Sequence, residues 1–334
     1  MQKVVEIHEI ELDSWDGLLK SSSVATWFQS PEAFRFFSSL SFMEAFAFGV
    51  KNDNVLKGVV VGYVQKDGGR LKQFFSRRAI VIGGPLFASD ITDEEVKTFL
   101  TALQTRMKRK AIYIETRNLN DYNRWRTAFE KSGFRYEPHY DVIVDTSTIE
   151  AVNGRLDRNR KRNIKKAVEN GIVIDKNPSD VDVNAFYSLL SELYQTKVKT
   201  PLYPFEFFEK LRELPSSLFC IAKDPEGKVV GGLVCVTQTG KAVYAWYACG
   251  DDMLYKKLSP SVMSNYAGIC HAAENGFAKF DFMGAGKPDD GGYGVRDFKL
   301  KFGGELLEPG RYILVCNPLL YGLGRLAVKI LKKV

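Results

Sequence analysis

The 334 residues present one succession of elements twice, and this duplication limits the fold more than any single motif. Each half reads as helices, then a meander of strands, then strand–helix–strand. In the first half residues 4–12 alternate as a strand and 14–20 are helical. A second helix opens at Ser30-Pro31, where Ser caps and Pro takes the first helical position. Strands at 46–50 and 55–65 flank the turn Lys51-Asn52-Asp53-Asn54, and strand 79–82 stops at Gly83-Gly84-Pro85. Helix 92–110, with acidic residues in its first turn, leads to strand 111–116, helix 121–132 and strand 141–145. In the second half 155–170, 180–197 and 205–213 are helical, and 218–223, 229–237 and 241–248 are strands. Helix 260–275 leads to strand 278–282, and 312–315 is the last strand. Both halves end a helix on Gly before Phe, at Gly133-Phe134 and Gly276-Phe277, which fits a left-handed cap.

The expectation is an α+β (mixed α/β) chain of two similar domains, 1–150 and 151–317. A C-terminal helix, 318–334, packs back on the first domain. The length suits two cores rather than one. Lys and Arg number 47 against 40 Asp and Glu, a net charge of +7. That excess suits an anionic partner such as phosphate, nucleic acid or an acidic membrane surface, and equally a basic protein without one. Five cysteines without a CxxC pair point to reduced thiols in a cytoplasm. With no secretory apolar segment and no run of membrane-spanning length, the protein is expected to be cytoplasmic, at most peripheral at the inner membrane face. His8, His139 and His271 are too scattered for a metal motif, and no Ser or Cys stands in a nucleophile signature. Neither a metal nor a tightly bound cofactor is expected.

Chemistry concentrates near the C-terminus. Phe280-Asp281-Phe282-Met283-Gly284 reads as a strand ending on a glycine, followed by a loop that includes Gly286 and then by Phe298-Lys299 in a turn returning to a strand. Glycines at a strand end let a ligand approach the backbone closely, and Lys299 sets one cation beside that approach. Candidate bases are Asp281, Asp297 and Tyr255. Asp281 alternates with Phe, so it is a buried structural carboxylate or, desolvated, a base of raised pKa. Between Arg155 and Lys166 stand seven basic residues, Arg160, Arg162 and Lys165 among them. They form a solvated helix face or a phosphate-binding one. The tail from Pro318 is a basic amphipathic helix, suited to packing or to a transient membrane-surface contact.

An antiparallel meander followed by strand–helix–strand, twice over, resembles tandem GNAT (N-acetyltransferase-like) domains. Phe28-Gln29-Ser30-Pro31-Glu32, the basic run Asn159 to Ala167, Phe280 to Gly284 and Phe298-Lys299-Leu300-Lys301-Phe302-Gly303-Gly304 resemble, in order, the Fem peptidyltransferase family. The resemblance implies transfer of an amino acid from aminoacyl-tRNA to the peptide of a peptidoglycan precursor. It implies Phe298 and Lys299 near the transferred carbonyl, and Gln29, Arg35, Tyr203, Tyr247, Arg160, Arg162 and Lys165 around the substrates. Two departures stand out. Tyr203 holds the place of an arginine that grips nucleotide-sugar phosphates, and Ile114-Glu115-Thr116-Arg117 offers no clear counterpart to the acid proposed as catalytic on the first domain's central strand.

Amide formation needs a neutral amine, a polarised carbonyl and good alignment, without metal or covalent intermediate. Enzymes of this fold that use coenzyme A usually carry a glycine-rich pyrophosphate loop; here Tyr255-Lys256-Lys257-Leu258-Ser259-Pro260-Ser261 lacks the glycines, leaving Lys256, Lys257 and the helix start as an anion site. The leading expectation is therefore a monomeric Fem-type acyltransferase acting on a cell-wall precursor, with tRNA as a partner. A coenzyme A-dependent N-acyltransferase for an amino sugar or small amine, and a non-catalytic tRNA-binding protein, are the alternatives.

Overall fold

The computed structural model describes residues 2–65, 76–289 and 294–331. In chain order the strands are β1 (Gln2–Glu6), β2 (Met43–Asn52), β3 (Val55–Gln65), β4 (Arg78–Gly83), β5 (Leu86–Phe87), β6 (Tyr113–Asn118), β7 (Arg135–Glu137), β8 (Asp141–Asp145), β9 (Val173–Asp175), β10 (Ser217–Lys223), β11 (Val229–Gln238), β12 (Ala242–Gly250), β13 (Lys279–Asp281), β14 (Glu305–Leu307) and β15 (Arg311–Val315). The helices are α1 (Leu12–Ser21), α2 (Pro31–Ser39), α3 (Asp93–Met107), α4 (Arg126–Lys131), α5 (Ile149–Arg155), α6 (Arg158–Glu169), α7 (Asp180–Leu193), α8 (Phe205–Arg212), α9 (Pro260–Glu274), α10 (Gly294–Leu300) and α11 (Pro318–Leu331).

The chain forms two compact units, residues 1–139 with 308–334, and residues 140–307. Each holds one sheet. The first runs β1-β2-β3-β4-β6-β15-β7, with β5 also on β3; the second, read from its far edge, runs β9-β10-β11-β12-β13-β8-β14. Both follow one plan: an antiparallel meander, then a parallel pair, then two antiparallel strands. The parallel pairs are β4 with β6 and β12 with β13. A parallel pair needs a crossover, which α3 and α9 supply.

The sixth strands depart from the sequence reading. β8, expected to finish the first domain, pairs with β13 and β14 in the second sheet. β15, expected to finish the second, pairs with β6 and β7 in the first. Both are five-residue strands with apolar centres, and pattern alone fixes the buried face of a strand but not the sheet that receives it.

The local signals mostly act as their chemistry demands. The Ser30 hydroxyl accepts from the Ala33 amide at 3.1 Å and caps α2. Thr92 and Glu95 cap α3 reciprocally, the Thr92 amide donating to Glu95 Oε2 at 2.7 Å. One face of the first sheet offers Ala79, Val81, Ile114, Tyr312 and Leu314 to Phe99 and Leu103 of α3 and Phe129 of α4. Phe129 stacks on Tyr312 at 4.1 Å. In the second unit Val142, Val144, Val243 and Phe280 meet Val262, Ile269 and Ala272 of α9. Cys220, Cys235 and Cys249 are buried core residues. At the C-terminus the Cys316 and Asn317 amides donate to Ile112 O, and Tyr321 of α11 meets Tyr113 edge-on at 5.4 Å. Among the described residues, no helix is long and apolar enough to cross a membrane.

Candidate active site

In the second unit the parallel pair is brief. β12 and β13 stay together only over Ala242–Tyr244 and Lys279–Asp281, although β12 runs on to Gly250. A bulge helps to part them: Val234 faces Tyr247 while Cys235 faces Ala245, which leaves Trp246 as the extra residue. Beyond the parting, β12 presents an aromatic cluster. Tyr247 lies 6.3 Å from Tyr203, 5.2 Å from Phe208 and 6.0 Å from Tyr194, and Phe207 lies 4.9 Å from Tyr203 and from Trp246. Tyr203 and Tyr247 thus come together as neighbours.

On the β13 side the chain turns sharply. The Phe282 amide still donates to Val142 O, but Met283 (φ 53°) and Gly284 (φ 104°) are left-handed. For Met283 that conformation costs of order 1–3 kcal/mol, so the surroundings must hold it. They do so through two amides of the turn, Met283 N donating to Asp281 Oδ1 and Gly284 N to Asp141 Oδ1, both at 2.8 Å; Val142 N orients Asp141 by donating to the same Oδ1 at 2.7 Å. The turn leaves two carbonyls facing the Lys299 ammonium, which donates to Phe282 O at 2.8 Å and Gly284 O at 2.5 Å. Further along, Arg296 donates to Ala285 O at 2.9 Å and Lys287 O at 2.5 Å, and Gly286 O accepts from the Tyr140 amide at 2.8 Å.

Phe298 and Lys299 lie on helix α10, not in a turn between strands as the sequence suggested. An inward prop fixes that helix. Arg160 is 6% exposed, with its guanidinium 4.2 Å from the Phe298 ring centroid and 4.7 Å from that of Phe302, and it donates to Phe298 O at 2.9 Å. Arg160 therefore faces the interior rather than a phosphate. Arg162 and Lys165, on the same helix α6, are exposed, and Lys165 lies 3.9 Å from Glu169.

Burial pushes the Lys299 ammonium below the usual lysine value, while the Asp141 and Asp281 carboxyls pull it back. An ammonium has three protons. Two go to the carbonyls, and the third has no acceptor among the described residues. Asp281 is 0% exposed, so no substrate amine can reach its carboxyl directly. Burial first, then the neighbouring Asp141, drives its pKa well above the carboxylate range.

The remaining sequence candidates are dispersed. Tyr255 bonds Lys228, just before β11. Lys256, Lys257 and Asp297 are exposed. The start of α9, expected as an anion site, is already occupied: Asp252 Oδ1 accepts from the Ser261 amide at 3.1 Å, and Pro260 has no amide proton to offer. Gln29 is 0% exposed with its amide saturated inside the first unit, accepting from Thr26 N at 2.7 Å and donating to Gly83 O and Gly84 O at 3.1 and 2.8 Å. Arg35 is exposed on α2. Gly291 and Gly292 of the glycine-rich loop lie outside the described residues. Sequence reasoning missed Asp141, Arg296 and Asp252; only an acid opening the apolar run Asp141-Val-Ile-Val signalled the first.

Residues 154–299 match the family model described as Acetyltransferase (GNAT) domain. Among solved structures, FemX is similar with a TM-score of 0.72 at 15% identity, over 96% of this chain and 99% of that one. A tandem GNAT protein from the clavulanic acid biosynthesis pathway gives 0.60 at 9% identity, over 95% and 99%. L-PGS from Bacillus licheniformis gives 0.57 at 14% identity, over 95% and 96%. No curated protein matches. The chain has the Fem-like tandem GNAT fold, and its second unit carries a GNAT acyltransferase domain that makes the protein an acyltransferase.

Proposed function

We propose that the protein moves an aminoacyl group from aminoacyl-tRNA to an amine of a peptidoglycan precursor. The observation that carries this reading is the Lys299 ammonium, seated on Phe282 O and Gly284 O with no third acceptor among the described residues, beside the parting of β12 and β13. As the amine attacks the ester carbonyl, a C–N bond forms and negative charge gathers on the carbonyl oxygen. Lys299 meets that charge. The ester C–O bond then breaks, and the proton lost by the amine ends on the departing ribose oxygen. A preorganised donor at such an oxyanion contributes about 3–4 kcal/mol. The aromatic cluster around Tyr203 and Tyr247 offers flat apolar faces for the donor or acceptor chain.

The donor assignment rests on Asp252. The Asp252 carboxyl at the start of α9 opposes a pyrophosphate there by occupying the Ser261 amide, although burial raises its own pKa. The family match to an acetyltransferase domain supports the second reading, a coenzyme A thioester donor. The two separate in one experiment: radiolabel transfer to UDP-MurNAc-pentapeptide from aminoacyl-tRNA, run beside acetyl-coenzyme A with amino sugars. Transfer from the charged tRNA is expected. Lys299→Ala should lower its turnover about 10²–10³-fold with folding retained. Wild-type turnover in that variant removes the assignment, and product from acetyl-coenzyme A alone selects the second reading.

A further inference from the structure

Beneath the turn that seats Lys299 lie two buried carboxyl groups. Asp281 is 0% exposed and Asp141 2%. Each uses Oδ1 to hold one backbone amide of the turn, and each has an Oδ2 that is buried without a hydrogen-bond partner among the described residues. The two side chains lie within hydrogen-bonding reach of each other. Two carboxylates cannot bond each other, since both only accept; one proton between them gives both orphan oxygens a partner. The charged groups around the pair are Lys279 on β13, 3.9 Å from Asp281 Oδ2, and Lys299 on α10. Arg296, also on α10, is engaged by carbonyls of the following loop.

We propose that Asp141 and Asp281 share a single proton between their Oδ2 atoms and that this pair is the mount fixing the Phe282–Gly284 turn, and through it the Lys299 ammonium. The mount carries one negative charge. That charge keeps a desolvated lysine protonated, and the shared proton avoids burying a second charge. Both aspartates are positioning residues: they touch the turn, not the substrate. The raised pKa of Asp281 agrees with this arrangement, burial being the larger cause and Asp141 the second. The catalytic consequence rests on the reading of Lys299 given above; the proton itself does not.

Two substrate-free measurements test the proton. In the infrared, the wild type should keep a protonated-carboxyl band at pH 7 that Asp281→Asn lacks. In equilibrium unfolding, a folded state that holds a proton the unfolded chain releases becomes less stable as pH rises above the unfolded aspartate value. The wild-type folding constant should therefore fall relative to that of Asp281→Asn by up to tenfold per pH unit between pH 5 and 7. Absence of the band, or parallel stability curves, overturns the shared proton. Should Asp281→Asn not fold, Asp141→Asn, which removes the same shared proton, assigns the band instead.

Turnover tests the mount. Asp281→Ala strips Met283 N of its acceptor and should lower kcat about tenfold or more with KM unchanged. Asp281→Asn should recover much of that loss, since its Oδ1 can accept from Met283 N and its amide can donate to Asp141 Oδ2 in place of the shared proton. Wild-type kcat in Asp281→Ala, or no recovery in Asp281→Asn, overturns the mount. If the aminoacyl-transfer reading fails, neither wild type nor variant turns over with aminoacyl-tRNA, while the infrared and unfolding results still stand.

Discussion

The two units place an acid at the same point of the same plan and treat it in opposite ways. Glu115 is the third residue of the first parallel pair, between Ile80 and Ile313. Asp281 is the third residue of the second, between Tyr244 and Ile143. Two residues earlier on the sixth strand stands Arg311 in one unit and Asp141 in the other. Glu115 accepts from Arg311 at 2.6 Å and Arg117 at 3.1 Å, and these cations outweigh its burial and hold its carboxyl at a pKa of about 2. Asp281, facing a second acid, is pushed the other way. One exchange of sign, Arg for Asp, turns an ion-pair lock into a proton-sharing pair.

The parallel pairs differ to match. β4 and β6 remain paired for all six residues, Arg78–Gly83 with Tyr113–Asn118. Their far end is tied by Tyr122, whose hydroxyl lies 2.8 Å from Gly83 O and 2.6 Å from Pro85 O, and by Gln29. In the second unit the pair parts after three residues, and Lys299 takes the carbonyls beyond. The same fold can thus serve as a closed scaffold or as an open site, according to what satisfies the backbone past the third pair.

The comparison is broken hardest at Glu115. Glu115→Gln leaves Arg311 and Arg117 facing a neutral group in a mostly buried site, and should cost about 2–3 kcal/mol at pH 7. The sign follows from the direction of the shift. A carboxyl whose folded pKa is depressed contributes stability above its unfolded value, and that contribution is lost as pH falls from about 4.5 towards about 2. Wild type and variant should therefore converge in denaturant midpoints by pH 2. A constant gap across this range would mean that packing, not charge, holds the lock.

A smaller effect is expected at Tyr122. Tyr122→Phe keeps the ring against Phe87 and Trp125, at 6.4 and 5.5 Å, and removes the hydroxyl between Gly83 O and Pro85 O. Loss of about 1–2 kcal/mol of stability is expected, with turnover unaltered. If turnover falls with the ring still packed, the first unit is no closed scaffold.

Much of this fold could be read in the chain, and less of the site. Caps such as Ser30 and Thr92, the turn at Asp53-Asn54 and the alternation of 55–65 are local signals, each decided by chemistry within a few residues. The motif words around Gln29 and Phe298-Lys299 marked constrained places but not the reason for the constraint. Gln29 lies in a word that resembles a substrate site, yet its partners are Gly83 and Gly84, 54 and 55 residues away. Asp281 looked like a core residue or a base; its partner Asp141 is 140 residues distant and enters through a strand whose sheet the pattern could not assign. Long-range pairing decides what a buried polar group does, and no local period encodes it.

The finest cut lies within helix α6, where residues two apart do different work. Arg160 is enclosed by Phe298 and Phe302, whereas Arg158, Lys161, Arg162, Lys165 and Lys166 are exposed. A polyanion can feel only the exposed set. Arg162→Ala should leave stability within about 0.5 kcal/mol. On the aminoacyl-tRNA reading proposed above, it should also weaken tRNA binding and lower the slope of log affinity against log salt by about 1. Arg160→Met should do the reverse, keeping the salt slope while lowering stability and turnover through the loss of its bond to Phe298 O. Salt-titrated filter binding beside urea unfolding reads both. Should the two variants change the salt slope alike, the inward prop is also a phosphate contact, and helix α6 loses its division into a structural and a binding face.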